Sequence, residues 1–199
     1  MKLKSTLLIF ILFSSIVSLN ALSYKVSYLT ADNGLSRNHV NHIFRDTRGF
    51  MWISTSKGLD RFDGYDFIHY NSRNSENPLI SDNVSCIEED RNGDLWIGTE
   101  NGLYFMNYKT GEISNADEKL DTKLEIRSKS ISFIKKDDQG DIWIGYETGL
   151  VRLHYISVNK IQEDEIYKTT STVTAFLHFN GNIYVADNNK IFRLINLII

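Results

Sequence analysis

The chain has 199 residues, with 22 basic and 25 acidic side chains for a net charge of −3, 12% aromatics, one proline and one cysteine. A chain of that length holds one sizeable core or one run of repeats. The near-even charge leaves no basic block for nucleic acid and no acidic tail, and a single cysteine excludes an internal disulfide.

The first 23 residues read as a secretion signal. Lys2 and Lys4 give the positive end, residues 7–17 are apolar or serine, and Ala21-Leu22-Ser23 offers small residues for cleavage before Tyr24. An uncleaved anchor is the other reading, although the run is short of the ~20 apolar residues of a spanning helix. Cys86 lies far from this segment, so no lipid-modified cysteine is expected at the new N-terminus. Export without disulfides suits the periplasm. Next, Tyr24-Lys25-Val26-Ser27-Tyr28-Leu29-Thr30 alternates apolar and polar. This strand-like segment is expected either to close the last repeat unit or to remain an unpaired edge.

A repeat occupies most of the remaining chain. Asp46-Thr47-Arg48-Gly49-Phe50-Met51-Trp52 matches Asp90-Arg91-Asn92-Gly93-Asp94-Leu95-Trp96 and Asp137-Asp138-Gln139-Gly140-Asp141-Ile142-Trp143. Six residues after each Trp stands Gly58-Leu59, Gly102-Leu103 or Gly149-Leu150. A worn fourth copy reads Asn180-Gly181-Asn182-Ile183-Tyr184, with Lys190-Ile191 in place of Gly-Leu. The four aromatic positions are 44, 47 and 41 residues apart. Each unit predicts four short strands with Gly-, Asn- or Asp-bearing turns, the pattern of β-propeller blades. In the second copy these are residues 84–89, 94–99, 103–106 and a strand after Thr110-Gly111, the first of them alternating apolar and polar. The expected organisation is all-β: a signal peptide at 1–23, then a partial propeller at 24–199 with blades near 31–74, 75–119, 120–164 and 165–199. The three Trp residues are expected between blades. Burying one removes ~150–250 Å² from water, an upper bound of roughly 4–6 kcal/mol.

Candidate chemistry is sparse. The acidic turns of the second and third copies resemble the start of a calcium loop, but Asn101 and Thr148 stand where its twelfth-position Glu belongs. Turn chemistry is therefore the reading taken. His39, His42, His69, His154 and His178 lack metal-ligand spacing. There is no phosphate loop, nucleophile elbow or zinc helix motif. No catalytic, cofactor or metal residue is named, and ligand contacts are left unassigned. The mixed-charge stretch 115–129 is expected to be a solvated connection.

Leu29-Thr30-Ala31-Asp32-Asn33-Gly34-Leu35-Ser36, the first Asp-to-Trp motif, and Gly58-Leu59-Asp60-Arg61-Phe62-Asp63-Gly64-Tyr65 together resemble the opening of the periplasmic sensor region of hybrid two-component regulators. That family carries the two-component regulator propeller repeat. The resemblance implies seven-bladed propellers ahead of a membrane helix and histidine kinase, and sensing of oligosaccharides. It therefore implies a sensor fragment without kinase activity, truncated relative to the family. A candidate oligosaccharide ligand and a homodimer or the remaining sensor blades are the expected partners, with no cofactor. A stand-alone exported propeller binding protein or glycan is the second reading, and a propeller hydrolase or lyase the third.

Overall fold

The computed structural model describes residues 24–73, 79, 81–116, 119–120, 125–157 and 160–194; the expected signal peptide lies outside them. Each repeat opens on an aspartate whose two carboxylate oxygens do different work. Oδ1 of Asp46 accepts the backbone N–H groups of Arg48 and Phe50 at 3.0 and 2.9 Å, while Oδ2 accepts the Trp52 indole N–H at 2.9 Å. Asp137 repeats this on Gln139, Asp141 and Trp143 at 2.9, 3.0 and 2.8 Å. Asp90 binds the amides of Asn92 and Asp94 at 2.8 and 3.1 Å. The glycine of each turn has positive φ, 96°, 84° and 85° at Gly49, Gly93 and Gly140, which a residue without Cβ adopts at little cost.

Around these turns the chain builds four antiparallel sheets in sequence order. The first contains β1 (Val40–Arg45), β2 (Met51–Thr55), β3 (Gly58–Phe62) and β4 (Phe67–Tyr70). The second contains β5 (Val84–Glu89), β6 (Leu95–Thr99), β7 (Gly102–Met106) and β8 (Ile113–Asn115). The third contains β9 (Ile131–Lys136), β10 (Ile142–Tyr146), β11 (Gly149–Ser157) and β12 (Lys160–Lys168). Among the described residues the fourth contains β13 (Val173–Phe179), β14 (Asn182–Asp187) and β15 (Ile191–Leu194). The fold is all-β, made of propeller blades. The glycine of the Gly-Leu pair is required by close approach: a Cβ on Gly58 would stand 2.3 Å from the Tyr70 carbonyl oxygen of β4.

Neighbouring blades meet face to face, with β1 against β5, β5 against β9 and β9 against β13. Trp52 lies in one core with Val84, Ile87, Leu95 and Ile97 of the second blade. Trp96 shares another with Ile131, Ile134, Ile142 and Ile144 of the third. Trp143 packs with Val173 and Val185 of the fourth, its ring 5.3 Å from that of Phe176. The three indoles are inter-blade packing, as the repeat implied.

A second bonding pattern runs along the inner strands. Each carries a bulge at the same place, at Asn41, Ser85, Ser132 and Thr174. A bulge leaves one residue out of the ladder and re-aims its side chain. Asn41 Nδ2 donates to the Val84 carbonyl at 2.8 Å, Ser85 Oγ lies 2.6 Å from the Ile131 carbonyl, and Ser132 Oγ donates to the Val173 carbonyl. Each of the first three blades is thus tied to the next by a bulge side chain reaching a backbone acceptor.

Three expectations are corrected. The 84–89 strand does not alternate; neighbouring blades cover both its faces, and all but Ser85 are buried. The connection after β8 is not simply solvated, since Ala116, Leu120 and Ile126 join the core around Trp96. The third blade extends past residue 164, because β11 and β12, nine residues each, form a hairpin ending at Lys168. Residues 24–30 form no ladder, the unpaired one of the two alternatives, and leave Tyr24, Val26 and Tyr28 exposed.

Trp96→Ala is expected to lower unfolding free energy by ~3–5 kcal/mol in urea denaturation, the cost of a large aromatic cavity. A midpoint equal to wild type would remove the indole from the list of structural supports. Asp46→Ala should cost ~1–3 kcal/mol by leaving the buried Trp52 N–H without its acceptor.

Candidate functional site

The sheets present two ends. One carries the aspartate turns. The other carries the short turns between second and third strands, together with the segments that cross from blade to blade. A cleft of about 370 Å³ opens at this second end of the first blade, lined by residues that include Ser36, Lys57, His69, Asn71, Arg73 and Asp82. Its floor is held by an entering segment, where Ala31–Asn33 makes one 3-10 turn and Leu35 is buried.

A buried carboxylate lies beneath. Asp60 is inaccessible to solvent, at a strand position occupied by Tyr104 in the second blade and Val151 in the third. Ser36 donates to it twice, N–H to Oδ2 at 2.8 Å and Oγ to Oδ1 at 2.5 Å, and His69 Nδ1 lies 2.7 Å from Oδ1. Burying a carboxylate is costly unless it is hydrogen-bonded, so these partners are what allow it there. Asp60 in turn fixes the Ser36 backbone and the His69 ring on the cleft wall. Ser36 Oγ is also 3.0 Å from His69 Nδ1.

Serine, histidine and aspartate therefore meet, but not as a proton relay. In a nucleophilic triad the hydroxyl and the carboxylate occupy opposite ring nitrogens of the imidazole. Here both face Nδ1, and the serine hydroxyl already donates to the carboxylate. The arrangement positions side chains rather than activating a nucleophile.

A second carboxylate cluster sits at the aspartate-turn end of the third blade. Buried Asp141 accepts Nε and Nη2 of Arg152 at 2.9 and 2.5 Å and lies 2.9 Å from His154 Nδ1. Arg91 of the second blade adds a longer contact at 3.5 Å. Burial acts to raise the Asp141 carboxyl, and the hydrogen bonds from His154 and Arg152 outweigh it, leaving its pKa below the usual carboxylate range. Nearby, Tyr155 donates to Asp90 Oδ2 at 2.6 Å and receives the Trp96 indole N–H at 2.9 Å. Burial first, then the Asp90 carboxylate, push the Tyr155 hydroxyl well above its ordinary pKa. These groups lock blades two and three together.

The other histidines stand apart from the cleft. His42 lies in β1, where burial, aided by Lys135, lowers its pKa; His178 lies in β13, 3.0 Å from the Asp138 carboxylate. Among the described residues no three His, Cys, Asp or Glu side chains converge on one point. The acidic turns that resembled calcium loops spend their first aspartate on turn amides and indole. Cys86 is buried, and burial pushes its thiol up to about 12. No helix among the described residues is long and apolar enough to cross a membrane.

A family model described as the two component regulator propeller matches residues 34–57 and 78–101, which span the motif segments of the first two blades. No curated protein matches the chain. Similar solved structures include a catalytically inactive virginiamycin B lyase from Staphylococcus aureus with quinupristin, at TM-score 0.60 and 18% identity over 86% of this chain and 57% of that one. PorZ, a surface component of the type-IX secretion system of Porphyromonas gingivalis, gives 0.57 and 13% over 78% and 24%. The extracellular domain of a hybrid two-component system from B. thetaiotaomicron gives 0.48 and 19% over 80% and 29%. At such identities the likeness is one of fold. The chain spans 24% to 57% of the lengths of these three.

The Asp141 cluster makes acid stability testable. A carboxyl lowered in the folded state adds stability that is fully present above its ordinary value near ~4 and is lost as pH falls through the folded-state value. Asp141→Asn should be less stable than wild type at pH 7, with the gap closing below about pH 4. Urea titrations at stepped pH measure this; a pH-independent gap would mean that packing, not charge, holds Arg152 and His154.

Proposed function

We propose that this chain, a carrier of the two-component regulator propeller repeat, is a ligand-sensing propeller segment of such a regulator, and that the first-blade cleft takes an oligosaccharide. One observation carries the ligand site: the repeat gives up an apolar position to Asp60, and the carboxylate spends its bonds on orienting cleft residues Ser36 and His69. Lys57, Arg73, Asn71 and Asp82 add donors and acceptors around the same space. Sugars are recognised by many directed hydrogen bonds to hydroxyl groups, which suits such a lining. The repeat itself supports a sensor, because its family is named for two-component regulators.

Binding without turnover fits the cleft's chemistry. The shared Nδ1 geometry of Ser36 and Asp60 at His69 offers no base for a hydroxyl nucleophile. Residues 1–23, read as a secretion signal, would place the sensor in the periplasm. Ligand would act by favouring one arrangement of the blades over another, since a signal requires differential affinity for two states. Kinase and output functions would then rest on other segments or partners.

Isothermal titration against a panel of oligosaccharides tests the reading. Saturable heat is expected with at least one sugar, and Lys57→Ala or His69→Ala should weaken that affinity about tenfold, the value of one hydrogen bond to a charged group. Absence of heat across the panel would defeat the oligosaccharide assignment. New products after prolonged incubation would replace sensing with catalysis.

A further inference from the structure

The two ends of the blade series are complementary to each other. In each of the first three blades, the leucine of Gly-Leu is sealed by the following blade: Leu59, Leu103 and Leu150 are 0%, 1% and 0% exposed. Ile191 occupies that position in the fourth blade and is 77% exposed. Leu177, at the place of Phe44, is 57% exposed on the same sheet. At the opposite end, the second and third blades bury Ile87 and Ile134 against their predecessor, both 0% exposed. Their counterpart in the first blade, Ile43, is 60% exposed. Val40 is also partly open, whereas Val84, Ile131 and Val173 are buried.

The bulge bonds stop in the same way. Asn41, Ser85 and Ser132 reach the carbonyls of Val84, Ile131 and Val173 in the next blade. Thr174 occupies the fourth bulge, and its hydroxyl makes a 3.4 Å contact to Ala186 within its own sheet. The acceptor the series calls for next is the carbonyl of a residue at the Val40 position. Among the described residues a forward face thus lacks a follower and a rear face lacks a predecessor, and each keeps exposed apolar side chains at positions that the three internal junctions bury.

We propose that a second copy of this chain docks head to tail, its first blade seated on the fourth blade of its neighbour, with Ile43 and Val40 covering Ile191 and Leu177. The contact is heterologous: it joins two different faces and so either closes into a ring or extends. Rings of up to about eight blades occur among propellers, so two four-bladed copies are within the range that can close. This inference is independent of the oligosaccharide reading and can fail without it.

Ile43→Asp and Ile191→Asp change exposed side chains, so each variant keeps its fold, which circular dichroism verifies. Sedimentation velocity of wild type across a concentration series should show dimers or larger assemblies, and each variant alone should be monomeric. Mixing the two variants in equal amounts should restore a dimer, because one junction then pairs two unaltered faces. Three results would overturn the proposal: a wild type monomeric at every concentration, either variant associating as wild type does, or a mixture that stays monomeric.

Discussion

The structure depends on an aspartate carboxylate in each of the first three blades that bonds to two kinds of partner at once. Its Oδ1 closes a backbone turn, and its Oδ2 holds an indole N–H at the boundary between blades. An indole is the largest apolar group available for that boundary, yet its N–H leaves a buried donor costing ~1–3 kcal/mol when unpaired. Placing the acceptor six residues upstream solves both problems within one hairpin. The turn cannot relax without disturbing the interface, nor the interface without disturbing the turn.

In the fourth blade this bond is absent. Phe179 stands where the aspartate belongs, and Tyr184 where the tryptophan belongs. The hairpin shortens to Asn180-Gly181, both at positive φ, 48° and 70°. Asn-Gly is the favoured pair for a two-residue turn of this kind. Tyr184 remains only half-buried, consistent with a face that none of the described blades covers. Loss of the carboxylate, the indole and the covering neighbour thus occur together. In the second blade the bond is instead elaborated: the Trp96 indole N–H lies 3.3 Å from Asp90 Oδ2 and 2.9 Å from the Tyr155 hydroxyl of the third blade, which itself donates to that carboxylate, so one hydrogen-bonded group spans two sheets.

How much of this was legible in sequence depends on the range of each interaction. The hairpins, the glycine turns and the tryptophan positions rest on residues within about ten of one another, and their periodicity exposed them. The two-sided burial of β5 was hidden because it arises from blades roughly 45 residues away in either direction. Core roles for Ala116, Leu120 and Ile126 were masked by the charged residues around them. The Ser36–Asp60–His69 contact escaped because its members are 24 and 9 residues apart and belong to three different elements. One signal was available: aligned by Gly-Leu, Asp60 falls in register with Tyr104 and Val151, a carboxylate at an apolar position.

That misfit locates the cleft more firmly than its shape does. A repeat satisfies its own packing with the residues it repeats, so Tyr104 and Val151 need no special partners. Asp60 needs several: an amide, a hydroxyl and an imidazole, all brought to it by the first blade alone. A buried ionised group held by hydrogen bonds is seldom the most stable choice against an apolar residue of similar size. Its presence at the base of a polar cleft is accounted for by the proposed recognition role, not by the packing of the repeat. The Asp141 cluster is the contrasting case: Arg152 and His154 come from its own sheet, Arg91 from the adjoining blade, and their bonds tie the second and third blades together. Both carboxylates are buried and bonded, but only the first has its partners on the wall of the first-blade cleft.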